Sequence, residues 1–326
     1  VTLAPYVRIL GRGPGRSRSL TREEAREAMA LIMSNEAEPE AIGALLMLLR
    51  FRGEIADEVA GFVEAVRGAL PDWEGPRPAL DWPSYAAGRT RGLPWFLLSA
   101  KLVSTAGVPV LLHGWNSHQN PIASVRASLP EVGIKAATST KDAAHLLEQD
   151  GIAYLPLETY SPRLLELLTL RDVLGLRSAV NTVLRVLNPA RADASVQGVF
   201  HPPYRALQAD AGGLLGQRNL TILKGGGGEF ERHPSKALEL FGLRDGQEWH
   251  DTATILIDET MRLAEASETP SDLADLWAGK IDLPVAEAIV IGTAALALET
   301  CGKAAAGAGL DLAKSLWQSR LSAQAA

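Results

Sequence analysis

The sequence predicts an α/β protein, with a small helical domain followed by a larger domain on a mostly parallel central sheet. Three observations carry that prediction. Residues 21–69 hold three successive helical patterns with no strand signal between them. Residues 71–78, with Pro76, Pro78 and Gly75, then read as a linker. From Ala79 onward, short apolar runs alternate with helical patterns, as in a parallel sheet with crossover helices.

At 326 residues the chain is long enough for two domains. Aromatic residues make up only 6%, which argues against wide stacking surfaces. A single cysteine, Cys301, excludes an intramolecular disulfide and a cysteine-based zinc site. It lies in an apolar, small-residue run and reads as a buried, inert thiol. No signal-peptide pattern opens the sequence. The apolar runs at 93–112 and 285–298 are broken by Lys101 and Pro109 or by Glu287, so no membrane span is expected. A reducing cytoplasm is the expected compartment. Net charge is −6, which counts against a protein that coats nucleic acid with its whole surface. A local basic groove stays open, because charges act within a screening length of about 8–10 Å.

Residues 1–22 hold Arg8, Arg12, Arg16, Arg18 and Arg22 and no acid. Residues 11–19, GRGPGRSRS, read as a mobile basic loop, either a solvated linker or a phosphate-contacting arm. Thr21 is a good N-cap, with Glu23 and Glu24 in the first turn of the helix that follows. Its buried stripe is Ala25, Ala28, Met29 and Ile32. Pro39 opens the second helix, with Ile42, Leu45, Leu46 and Leu49 inward. The third covers about 56–69 and buries Val59, Phe62, Val63 and Val66. Beyond the linker, strands are expected at 80–83, 108–112, 152–157, 196–200, 220–223 and 252–256. Helices are expected at 95–106, 141–149, 162–168, 270–278, 283–299 and from 310 onward. A helix pair with a basic face is expected within 170–189. Residues 81–116 read as strand end, loop, helix, strand and polar loop. Loops after strand ends are where ligands sit in α/β folds, so this stretch is expected to decide function.

Three stretches resemble the anthranilate phosphoribosyltransferase family. They are LTREEAREAMALIMSNEAEPEAIGALLMLLRFRGEIADEVAGFVEAVR, GVPVLLHGWNS, and LRDVLGLRSAVNTVLRVLNPARADASVQGVFHP. The resemblance implies the nucleoside phosphorylase/phosphoribosyltransferase-like fold, usually as a homodimer. It implies a helical domain at 1–74, joined in space by residues 161–189. The α/β domain would then comprise 75–160 and 190–326.

The family motifs for chemistry are altered. The Gly-rich D-x-x-G-T-G-G-D loop binds phosphoribosyl pyrophosphate, and glycine lets backbone N–H groups approach the phosphates. With Asp81 as its first residue, the glycines fall on Ser84, Ala86 and Ala87, and the threonine on Tyr85. The following N-x-S-T falls on Pro94, Phe96 and Leu97. The magnesium-binding acidic loop becomes Gly225-Gly226-Gly227-Gly228-Glu229-Phe230-Glu231, with Phe230 where an Asp belongs. Two adjacent family arginines become Arg171 and Asp172.

That pattern is similar to the YbiB-type branch of the family, which keeps the fold, lacks the transferase activity and binds nucleic acid. The similarity implies sequence-independent nucleic-acid binding through Arg8, Arg12, Arg16, Arg18, Arg89, Arg91, Arg177 and Arg185, with no catalytic residue and no cofactor. Single strands would be preferred if Tyr85, Trp95 or Trp115 were exposed for stacking. A vestigial ligand pocket would comprise Ser84, His113, Gly114, Asn116, Arg171 and Asn181. The alternative is a phosphoribosyl- or other glycosyl-transferring enzyme with a divergent donor site. Phosphoribosyl pyrophosphate and magnesium enter only under that alternative.

Overall fold

The computed structural model describes residues 2–85, 92–115, 123–258 and 269–324. Its N-terminal layer is four helices: α1 (Ala4–Gly11), α2 (Arg22–Met33), α3 (Pro39–Arg52) and α4 (Ala56–Ala69). Thr21 starts α2 with a capping box. Its hydroxyl accepts from the Glu24 N–H, and the Glu24 carboxylate accepts from the Thr21 N–H at 2.9 Å. The expected apolar stripes of α2, α3 and α4 are buried in one core. Helices α2 and α4 pack closely because Gly61 lacks a side chain; a Cβ there would lie 2.2 Å from the Arg22 carbonyl oxygen. The basic stretch before Thr21 is more ordered than its composition suggests. Helix α1 occupies its first half. A turn follows, in which Arg18 N–H donates back to Ile9 O at 3.2 Å.

The second layer is a seven-stranded sheet with the order β3-β2-β1-β4-β5-β6-β7. Strands β1 (Leu80–Ser84), β2 (Val110–Gly114), β3 (Ile152–Pro156), β4 (Ala194–Val199) and β5 (Asn219–Lys224) run parallel. Strands β6 (Leu238–Arg244) and β7 (Gln247–Ala253) form an antiparallel hairpin at one edge. The expected strand at 252–256 is thus corrected. Asp245-Gly246, both at positive φ, is a two-residue hairpin turn, and it sets β7 three to five residues earlier.

Helix α5 (Phe96–Thr105) joins β1 to β2, and α6 (Val125–Val132) and α7 (Thr140–Asp150) lie between β2 and β3. After β3 the chain returns to the helical layer as α8 (Leu157–Tyr160), α9 (Pro162–Thr169), α10 (Arg171–Leu174) and α11 (Val180–Val186). Leu164, Leu167, Val180, Val183 and Leu184 share a core with Phe62 and Leu45. Helix α12 (Tyr204–Leu214) crosses from β4 to β5. Helices α13 (Ser271–Trp277), α14 (Pro284–Thr300) and α15 (Gly309–Gln324) join a second core with α5 and the sheet. Among the described residues no helix is long and apolar enough to cross a membrane.

The strand order reverses at β1 and β4, the place where open α/β sheets bind ligands. These two strands share only the Leu80–Ala194 and Asp81–Ser195 pairs, so beyond them the sheet forks.

Candidate functional site

The fork is filled by the loop after β5. Gly198 on β4 makes this possible, since a Cβ there would lie 2.0 Å from the Glu229 carbonyl carbon. Phe230 is fully buried and stands edge-on to Trp82, with ring centroids 5.4 Å apart. Ser84 Oγ donates to Glu229 Oε1 at 3.0 Å, and the Phe96 N–H donates to Glu231 Oε2 at 3.0 Å. Both carboxylates are buried and bound to the scaffold.

A buried polar chain runs from the fork across the ends of β1 and β2. Ser195 Oγ donates to Asp81 Oδ2 at 2.8 Å. His113 Nε2 lies 3.1 Å from Asp81 Oδ1, a contact too bent to count as a hydrogen bond. The other ring nitrogen, Nδ1, is 2.9 Å from the Tyr85 hydroxyl, which is 3.0 Å from that of Tyr160. Burial pushes both phenols up, so they stay neutral at ordinary pH.

On the backbone side of Tyr85 lies an open cavity of about 570 Å³. It is bounded by the end of α3, the α10–α11 pair and the segment leaving β4. Arg50, Arg171, Arg177 and Arg185 line it, and Asp172 is the only lining carboxylate among the described residues. Arg185 is held at the cavity wall, with Nη2 donating to Tyr85 O and Nη1 to Asn181 O, both at 3.1 Å. Burial, and then the like charges of Arg171 and Arg50, push the Arg177 guanidinium down. Nη1 of Arg171 is shielded from solvent and has no hydrogen-bond partner among the described residues. Concentrated positive charge without acids to match it suits a ligand with several anionic oxygens.

The residues expected at one site fall into separate places. Arg171, Arg177, Asn181 and Arg185 line the cavity. Ser84, His113 and Gly114 are sealed in the strand ends and do not reach it. Arg8, Arg12 and Arg16 are exposed on the N-terminal layer and do not line it either. Arg18 is committed to Glu24, with a bidentate contact at 2.6 and 2.7 Å. Arg89, Arg91 and Asn116 lie outside the described residues. Tyr85 and Trp95 are buried, so neither offers a face to a base, and Trp115 is half-buried. Arg50, His201 and Tyr204 line the cavity and were not anticipated. Nothing local marks Arg50, which comes from the far end of α3.

The family model for the glycosyl transferase family, helical bundle domain, matches residues 4–69. An anthranilate phosphoribosyltransferase from Bacillus caldotenax is 31% identical over 70% of this chain and 94% of its own length. That of Rhizobium rhizogenes is 33% identical over 64% of this chain, and the match spans only 61% of that relative. Among solved structures, the anthranilate phosphoribosyltransferase from Thermus thermophilus superposes with a TM-score of 0.79 at 25% identity, covering 94% of each chain. The Saccharomyces cerevisiae enzyme in complex with PRPP and Mg superposes at 0.76 with 16% identity, covering 98% of this chain and 93% of its own.

These findings correct four expectations. The nucleic-acid-binding reading gives way, because the curated relatives carry a transferase name. The expectation of a non-catalytic protein falls for the same reason. Nucleic acid as a partner goes with them, and the arginines that suggested it are dispersed, paired or turned to backbone carbonyls. The expectation of no cofactor is overturned by the yeast structure, which is a complex with PRPP and Mg. In this chain, however, Glu229 and Glu231 do not fit a magnesium ion, because each is buried and already accepts a hydrogen bond from the scaffold. No group of three or more metal-ligating side chains exists among the described residues.

Proposed function

This chain belongs to the anthranilate phosphoribosyltransferase family, and from that premise we propose that it transfers a phosphoribosyl group to a small acceptor. It holds the donor's phosphates with arginine side chains where the family motif uses glycine backbone. The observation that carries this reading is the cavity lined by Arg50, Arg171, Arg177 and Arg185, with Asp172 as the one lining acid among the described residues. In such a transfer the acceptor's lone pair forms a bond to the anomeric carbon as the bond to pyrophosphate oxygen breaks. The electron pair leaves with pyrophosphate, and the acceptor's proton passes to solvent. Fixed guanidiniums favour this step because negative charge grows on the leaving group. Magnesium carried by the donor's own phosphates would shield the same charge. The opening Ile9-Leu10-Gly11-Arg12 and the Glu229-Phe230-Glu231-Arg232-His233-Pro234 run support descent near the YbiB-type branch. The activity reading is tested independently of that descent.

The test is calorimetry with phosphoribosyl pyrophosphate, with and without magnesium, followed by pyrophosphate release in the presence of anthranilate and other aromatic amines. Saturable heat is expected, and Arg177→Ala should weaken it by about 30-fold, the equivalent of about 2 kcal/mol. Absence of saturable heat up to about 1 mM donor, weaker than about 4 kcal/mol of binding, overturns the proposal.

A further inference from the structure

A second basic cavity, of about 280 Å³, lies at the opposite ends of the two central strands, β1 and β4. It opens where α4 ends, where residues 70–77 approach β1, and where residues 189–191 lead into β4. Strands β1 and β4 are parallel and five and six residues long. Their two ends are therefore roughly 15–20 Å apart, which separates this cavity from the one bearing Arg177.

Arg67, Arg77 and Arg191 line it. Arg67 Nε donates to Leu187 O at 2.8 Å, and its two Nη groups have no protein partner among the described residues. No carboxylate among the described residues forms an ion pair with any of the three. Burial, and then the like charge of Arg191, push the Arg67 guanidinium down to about 10.

Arg191 itself stands at φ +56°, a left-handed conformation that costs a non-glycine residue about 1 kcal/mol. The turn is enforced by Asn188, whose Oδ1 accepts from Ala192 N–H at 2.8 Å. Its Nδ2 donates to Ala192 O at 2.8 Å and to Gln217 Oε1 at 2.9 Å. The indole N–H of Trp73 donates to Pro76 O at 3.0 Å and so fixes a ring in the cavity wall. Asp72 is the one lining carboxylate among the described residues. Among the described lining residues three guanidiniums outnumber one carboxylate, an excess of positive charge that suits a phosphate dianion, although Asp81 and Glu64 also act on Arg67.

We propose that this cavity binds a small phosphate monoester, with its phosphate on Arg67, Arg77 and Arg191 and its organic part against Trp73, Pro71 and Pro189. Such a ligand touches the helical layer through Arg67 and the sheet layer through Arg77 and Arg191, so it bridges the two.

Calorimetry with phenyl phosphate on the full chain tests this. A saturable site for phenyl phosphate should persist in Arg177→Ala, in which the first cavity's hold on phosphate is weakened. The double variant Arg77→Ala/Arg191→Ala changes two exposed side chains without protein partners and should bind at least about tenfold more weakly. Should that variant fail to fold, nitrogen-15 spectra of the intact protein replace it. The Trp73 indole N–H resonance, assigned with Trp73→Phe, should then move on titration. Binding lost in Arg177→Ala and kept in the double variant overturns the site. An unmoved Trp73 resonance, or no saturable heat, also overturns it. Benzoate binding as tightly as phenyl phosphate overturns the ligand class.

Discussion

Tyr85 stands between two polar regions that treat their charges in opposite ways. Its hydroxyl belongs to a buried chain in which Asp81, Ser195, His113 and Tyr160 answer one another. Its carbonyl accepts from Arg185, at the wall of a cavity where Arg171 and Arg177 meet mostly like charge. The first region contributes to stability through the bonds of Ser195 to Asp81 and of Tyr85 to His113 and Tyr160, and leaves only the Asp81–His113 contact without a hydrogen bond. The second sacrifices stability, because Arg171 and Arg50 crowd the Arg177 guanidinium with like charge until an anion arrives. Function is better sought in the second, although the histidine in the first looks more like a catalyst on paper.

The sharpest way to break this contrast is Gly198→Ala. The new methyl would be forced onto the Glu229 backbone, so the fork loop must move. A loss of about 3 kcal/mol is expected in urea unfolding, with donor binding impaired as the Tyr85–Arg185 contact shifts. A fully stable Gly198→Ala protein would show that the loop is not wedged as described.

Tyr85→Phe separates the two regions more finely. It removes the hydroxyl facing His113 and Tyr160 and leaves the carbonyl facing Arg185. Stability should fall by about 1–2 kcal/mol, while donor affinity by calorimetry stays within about twofold. A large affinity loss would bring the histidine chain back into the binding site.

The smallest effect belongs to an ion pair remote from both. Arg18 holds the Glu24 carboxyl down to about 2, through its hydrogen bond before any other influence. Since the folded value is below the unfolded one of 4.5, the pair's contribution is present above about pH 4.5 and lost as pH falls toward 2. Arg18 is half exposed, so solvent screens the pair and the contribution is small. Glu24→Gln keeps an oxygen for the Thr21 cap and should flatten stability between those pH values. An unchanged acid-unfolding profile would remove the pair from the account.

Local signals were readable where local forces decide. Thr21 and Glu24 announce α2 because a capping box involves residues three apart, and the stripe from Ile42 to Leu49 is buried as its spacing requires. The replacement of an acid by Phe230 was visible too, and the ring's burial against Trp82 explains it. The arginines were misread because closeness in sequence is not closeness in space. Arg8, Arg12 and Arg16 lie in one short stretch yet do not line the cavity, whereas Arg50 and Arg177, far apart in sequence, both do. His113 was expected in a ligand pocket, but the strand runs on through it to Gly114 and buries it.

The forked sheet has a mechanical consequence. Two residue pairs between β1 and β4 are a short seam for seven strands, so the sheet is effectively two blades, one of three strands and one of four. The loop carrying Glu229 and Phe230 is the clasp that keeps the blades from scissoring. A loop that holds metal-binding acids in the family motif works here as a fastener, and loosening it would open the molecule along the line where the strand order reverses.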